Sequence, residues 1–232
     1  MTETQLLDRV RQLREQGRSP KEIARCLGVR PATVSPLVRA LAEERSAAAT
    51  EPAVAGCWVS PGWSIGLGLE GFADWPGLGV SCPGQSGLVA VLVAREHRYG
   101  RVSVCGYLVD TWCLGAKDTL GPRVMNLSEL PGFVKTYFGA FEGDALAAPI
   151  ELAQHLVLGA VAYARSLGFQ PEEGFAATAG HLGSLDGPSA ITFGKEGKPY
   201  YIEGPYDNSV RNMRTLERSV GKDNFTFMVS LD

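Results

Sequence analysis

The chain lacks several features that would each assign it to a class. No stretch of about 18 residues runs free of glycine, proline or charge, so no membrane-spanning helix is expected. The first residues read as a polar amphipathic helix rather than a charged and apolar leader, and a cytoplasmic location is expected. The five cysteines, Cys26, Cys57, Cys82, Cys105 and Cys113, are odd in number and form no Cys-x-x-Cys pair, which argues against a zinc ribbon. Reduced buried thiols are the expectation. Gly-x-Ser-x-Gly, His-Glu-x-x-His, the P-loop and the dinucleotide fingerprint are all missing. Gly194-Lys-Glu-Gly-Lys198 lies between strand-like runs and reads as a turn; Gly66-x-Gly68 is too short a signal to mean more. No internal repeat is present, and neither a metal nor a cofactor is expected.

A general excess of basic charge is also missing. The net charge is −3. It is unevenly placed, however. Residues 1–46 hold nine Lys/Arg against six Asp/Glu, a net of +3, and the remainder holds 13 against 19, a net of −6. Any attraction for phosphate is therefore expected at the N-terminal end, and tight binding calls for two copies.

At that end, Arg18 to Arg45 reads RSPKEIARCLGVRPATVSPLVRALAEER. Ser19 is an N-cap, Pro20 suits a first helical turn, and Glu22 completes a capping box. Ile23, Ala24 and Leu27 face inward. Gly28 supplies the turn, Val29 tucks back, and Pro31 starts a second helix with Val34, Leu37, Val38 and Leu41 inward. Leu6, Leu7, Val10 and Leu13 on a preceding helix close a three-helix core. The pattern resembles the helix-turn-helix segments of bacterial regulators, recombinases and sigma-factor-like proteins. In such a unit the second helix enters the major groove. Arg30, Thr33, Ser35 and Arg39 would then meet base edges, with Arg18, Lys21 and Arg25 near phosphates. Pro36 removes a backbone donor inside that helix, which either bends it or confines base reading to its first turn. A purely protein-contacting use of the unit is the alternative.

The composition, 45% hydrophobic and 20% charged, describes a globular chain with room for one ordinary domain and a small appendage. We divide it into a helix-turn-helix domain at 1–46, a linker at 47–54 and an α+β domain at 55–232. Residues 55–87, rich in Gly and Trp, form a lead-in of loops and short strands, with its tryptophans packed on the main domain. Strands are expected at 88–94 and 102–114 around a turn at 96–101. Then come an irregular exit at 115–125, a short helix from Ser128 to about Gly139 and a long helix at 148–167. A short helix near 173–183, a hairpin at 189–207, a helix at 208–220 and a strand at 224–231 complete the chain. Strands and helices are segregated, so the class is α+β: a small all-α unit followed by a domain with a largely antiparallel sheet. The runs GYLVDTWCLGAKDTLGP, PIELAQHLVLGAVAYARSLGFQP and ITFGKEGKPYYIEGPYD resemble a bacterial, actinobacterial-type domain of unknown function. That resemblance implies one intact domain and transfers no activity.

Two constellations could carry chemistry. Asp110, Cys113 and Lys117 cluster at one strand end, where Cys113 would need a base from His155 or His181. Glu151 and His155 lie i, i+4 on the long helix, with His181 and Asp207 as remote third ligands. The bland reading gives a buried thiol, a capping or ion-pair device, and a helix-surface pair. The expected function is a DNA-binding transcriptional regulator, whose larger domain dimerises, senses a small ligand or recruits a protein partner. A thiol- or metal-dependent enzyme acting on nucleic acid is the second reading, and an interaction module with a structural helix-turn-helix the third.

Overall fold

The computed structural model of the chain describes residues 6, 9, 10, 12, 13, 18–38, 51–69, 71, 74–80 and 86–229. The chain divides into two compact units, Met1–Glu51 and Pro52–Asp232.

In the smaller unit, α1 (Pro20–Leu27) begins at Ser19, which forms the capping box with Glu22. It ends at Gly28, whose φ of 66° lets the chain turn without a Cβ penalty. The Val29 N–H donates to the Ala24 carbonyl at 3.0 Å and closes the turn. Residues 31–38 form α2. Val10, Ile23, Ala24 and Val34 are buried together, with Leu6, Leu13, Leu27, Val29, Leu37 and Val38 packed around them. Pro36 is accommodated within the helical run. Both it and Ala32, whose carbonyl loses its donor, are exposed, so water can take the missing bond.

The larger unit is mixed α+β. Its five-stranded antiparallel sheet contains β1 (Val54–Val59), β3 (Leu88–His97), β4 (Arg101–Asp110), β5 (Gly115–Asn126) and β6 (Leu146–Ala147), in the order β5-β4-β3-β1-β6. Helices cover both faces, α3 (Leu130–Tyr137) on one and α4 (Ile150–Ser166) on the other. Alternation divides the central strands between them. Val89, Val91, Val93, Cys105, Tyr107 and Val109 pack with Leu152, Leu156, Val157 and Ala160 of α4. Ala90, Leu92, Ala94, Val102 and Val104 pack toward Phe133, Val134 and Phe138. A strand buried on both faces is apolar at every position, which is why 88–94 reads as an unbroken run. Gly106 is required here, because a Cβ at that position would sit 2.6 Å from the Tyr137 ring.

Several boundaries differ from the sequence reading. Residues 52–54 are not linker. The Pro52 carbonyl accepts from Arg95 at 2.8 Å, the Ala53 carbonyl accepts from the Glu96 N–H at 2.7 Å, and Val54 already belongs to β1. The lead-in therefore supplies an inner strand of the sheet, while Trp63 and Trp75 are buried anchors. The strand expected to reach residue 114 stops at Asp110, where a turn begins. Residues 115–125 are β5 rather than an irregular exit. Pro122 hid it, yet proline is tolerated because β5 is an edge strand and Gly121-Pro122 falls in a bulge between the Val104–Arg123 and Gly106–Leu120 pairs.

The arms at 189–207 do not form a hairpin ladder. A single bridge joins Lys195 and Lys198. β7 (Ile191–Thr192) pairs instead with β2 (Gly68–Leu69), and β8 (Tyr200–Ile202) pairs in parallel with β9 (Thr226–Met228). A short helix, α5 (Phe175–Thr178), precedes β7, and α6 (Ser209–Ser219) connects β8 to β9.

Candidate functional site

The smaller unit presents its polar residues on rigid supports. Glu22 accepts from the Ser19 N–H at 2.7 Å and the Ser19 hydroxyl at 2.6 Å. These bonds hold the Glu22 carboxyl below its ordinary pKa. Lys21, Arg25, Arg30, Thr33 and Ser35 are all exposed. Arg18 is exposed as well, and its Nη1 lies 3.1 Å from Cys26 Sγ. The Ser35 hydroxyl donates to the Pro31 carbonyl at 3.0 Å, so in this rotamer it has only acceptor capacity for a partner. Arg39 lies outside the described residues.

In the larger unit the six chemical candidates fall into three places. Asp110 is buried at the head of the β4–β5 turn. Its Oδ1 accepts from the N–H groups of Trp112 (2.9 Å) and Cys113 (3.0 Å), and its Oδ2 from that of Leu114 (3.1 Å). Burial pushes its carboxyl up to about 6 despite these three bonds and Lys117. Cys113 packs with Leu114, Leu167, Tyr201, Leu216 and Phe225. Burial, reinforced by Asp110 and Asp207, raises its thiol far above the ordinary range, so the thiolate needed for attack is disfavoured. Lys117 does not pair with Asp110. Its ammonium bonds Asp207 at 2.9 Å, and Asp207 also accepts from the Gly204 N–H at 2.8 Å. This ion pair lines a cleft of about 430 Å3 with Gln170, Glu172, Asn208 and Arg211. The Glu172 oxygens are engaged too, by the Thr119 hydroxyl and the Gly174 N–H. The cleft therefore offers a fixed ion pair rather than an acid–base couple.

Glu151 and His155 are elsewhere. His155 Nδ1 accepts from the Ala190 N–H at 3.0 Å, which puts the proton of the neutral ring on Nε2. Its ring packs against Trp75, with centroids 5.4 Å apart. Desolvation lowers its pKa, and Glu151 partly opposes that. Tyr163, which packs against the cluster that holds Cys113, lies eight residues along α4 from His155, about 12 Å. His181 is more distant still. Its Nε2 lies 3.2 Å from the Ser103 carbonyl and 3.0 Å from the Ser103 hydroxyl. Ser103 and Asp110 are seven residues apart on one strand, about 23 Å. Cys113 thus has neither proposed base beside it. Among the described residues no group of three or more His, Cys, Asp or Glu could hold a metal ion, and no helix is long and apolar enough to cross a membrane.

Three contributors were missed in the sequence. Arg95, 5% exposed, donates from Nε to the His181 carbonyl at 2.7 Å and so ties β3 to the 179–181 turn. Ser189 donates to the His155 carbonyl at 3.1 Å. The Tyr163 hydroxyl is buried without a hydrogen-bond partner among the described residues. Nothing local in the sequence marks any of them. A fourth feature, the arginines of α6, was readable from its spacing. Comparison with known proteins yields nothing: no family model matches the chain, and no curated protein or solved structure is significantly similar to it.

Proposed function

We propose that the chain is a DNA-binding protein acting as a transcriptional regulator, with residues 1–46 as a helix-turn-helix reader. The observation that carries this reading is the start of α2. Arg30 and Thr33 are exposed there, immediately after the Gly28 turn, on a helix anchored through Val34, Leu37 and Val38. That is the position from which such a helix meets base edges. Lys21, Arg25 and Arg18 flank it as phosphate contacts, and Arg39, outside the described residues, is a further base contact. The larger unit dimerises, senses a ligand or recruits a partner, and two copies supply the affinity that a net charge of +3 cannot. The six candidate residues of the enzyme reading occupy three separate places, so no observation favours that alternative.

The test is retention of fragmented genomic DNA by the full chain across a salt series, with sequencing of what is retained. Enrichment of a few sites is expected. Arg30→Ala should weaken those sites by about 1–3 kcal/mol and relax the preference at one base. Arg39→Ala should lower both the affinity and its salt slope. Absence of binding at low salt would sink the reading.

A further inference from the structure

We infer that the exposed arginine stripe of α6, Arg211, Arg214 and Arg218, is a second DNA-phosphate surface, carried by the larger unit. This rests on the DNA-binding reading above and extends it to a part of the chain with no helix-turn-helix character. At 100° per residue, positions i, i+3 and i+7 fall within about 60° of one another, so the three side chains share one face. They span about 10 Å of helix axis, facing roughly six duplex charges at one per 1.7 Å. All three are exposed. Among the described residues, none of the three guanidinium groups has a carboxylate partner; the ion pair recorded there is Lys117–Asp207. Arg218 uses its Nε on the Arg214 carbonyl at 3.2 Å, which leaves its two outer nitrogens. Glu217 is the only acidic residue of α6; it lies about 60° from Arg214 at the edge of the stripe and lines the same surface hollow as the three arginines, without pairing with them among the described residues.

The helix is held firmly on the other side. Leu216 is fully buried beside Tyr201 and Phe225, with Met213 packed against them. The Asn208 side chain caps the first turn by accepting from the Arg211 N–H at 2.9 Å. A rigid base matters, because arginine's planar fork gains most on phosphate when little freedom is lost. The charge distribution adds weight. Residues 47–232 carry a net of −6, yet α6 concentrates three of their thirteen basic residues in one stripe. A generally acidic unit does not reach DNA by its overall field, so a local stripe is the means it has. Because both units belong to one chain, contact by one raises the effective concentration of the other at the same duplex.

The experiment is equilibrium binding of the full-length chain to a duplex DNA fragment between 50 and 200 mM salt. It compares the wild type, Arg30→Ala, the triple variant R211Q/R214Q/R218Q, and the charge-keeping triple R211K/R214K/R218K. The Gln triple should lower the slope of log K against log salt by about 3, at about 0.9 per phosphate lost, with at least roughly tenfold weaker binding. Its sequence preference should survive. The Lys triple should keep most of the slope. An unchanged slope in the Gln triple would overturn the inference, and so would equal losses in the Gln and Lys triples, which would make the effect structural. Failure of the wild type itself to bind sinks the DNA reading; a binding wild type with an unaffected Gln triple sinks only this extension.

Discussion

Asp110→Asn should change the stability of the larger unit in a way that depends on pH, and the sign follows from the structure. Asp110 is 5% exposed, and its folded carboxyl titrates at about 6 against 3.8 for an ordinary aspartate. Between those values the folded chain holds a proton that the unfolded chain has released. Raising the pH therefore favours unfolding, and the group's stabilising contribution is fully present below 3.8 and is lost as pH rises toward 6. The full shift corresponds to about 3 kcal/mol, of which about 2 kcal/mol falls between pH 4.5 and 7.5. The variant has no such titration. It keeps an oxygen for the Trp112 and Cys113 N–H groups but turns an amide NH2 toward the Leu114 N–H, at a cost of about 1–3 kcal/mol. The variant should thus be less stable at pH 4.5, with the gap narrowing by about 2 kcal/mol at pH 7.5. Urea unfolding followed by tryptophan fluorescence is the assay, since Trp58, Trp63, Trp75 and Trp112 all belong to the larger unit. A gap that widens with pH would refute the reasoning. It would mean that three backbone donors outweigh burial and that the folded carboxyl titrates below 3.8.

Other perturbations test the remaining supports. Ser19→Ala removes the hydroxyl half of the capping box, leaving the backbone N–H of residue 19 on Glu22, and should cost about 1 kcal/mol, read as roughly fivefold faster amide exchange at Glu22 and Ile23. Gly106→Ala should destabilise the larger unit by about 1–3 kcal/mol, because the new methyl displaces the Tyr137 ring. Adding Tyr137→Ala should then cost less than it does alone; strict additivity in urea unfolding would disprove the contact. His155→Phe should leave the Ala190 N–H without its acceptor, losing about 1–3 kcal/mol of protection at that amide. The lowered pKa of His155 means that its neutral form supports the fold. Its contribution should persist above 6.5 and fade as the pH drops below that, a dependence absent from the Phe variant.

The sequence was most legible where the signals are local. Ser19, Glu22, Gly28 and the apolar spacing of Ile23, Ala24, Val34, Leu37 and Val38 each act within one or two turns, and the helix pair follows them residue by residue. β3 was legible because burial on both faces leaves an unbroken apolar run, and β4 because its run is broken only at Ser103 and Gly106. β5 was hidden because an edge strand bonded on one side tolerates Pro122 and two bulges, and so lacks both alternation and continuity. The 195–198 turn was also a local signal, but the partners of its arms were not. Ile191–Thr192 and Tyr200–Ile202 each pair with segments far away in sequence. The same division applies to the polar candidates. The i, i+4 placement of Glu151 and His155 could be read from spacing, whereas Ala190 and Ser103, which occupy the histidines, meet them only through tertiary packing.

The architecture of the larger unit narrows where its function can lie. Both faces of its main sheet carry a helix, α3 on one side and α4 on the other. Its inner charged groups and histidines are committed. Asp110 caps a turn, His155 and His181 each tie two segments, and Lys117 and Asp207 satisfy one another. Outside that sheet, β8, α6 and β9 pack together around Tyr201, Leu216 and Phe225. There Arg211, Arg214 and Arg218 share an exposed stripe, and Phe227 and Met228 are exposed on the neighbouring strand. Charge there is presented outward on a helix that is fixed from behind, whereas in the interior every charge is spent on structure. On the inference drawn above, DNA meets the larger unit at α6. This is why the arginine stripe, rather than the cysteine and histidines that first draw notice in the sequence, is the feature to mutate first in that unit.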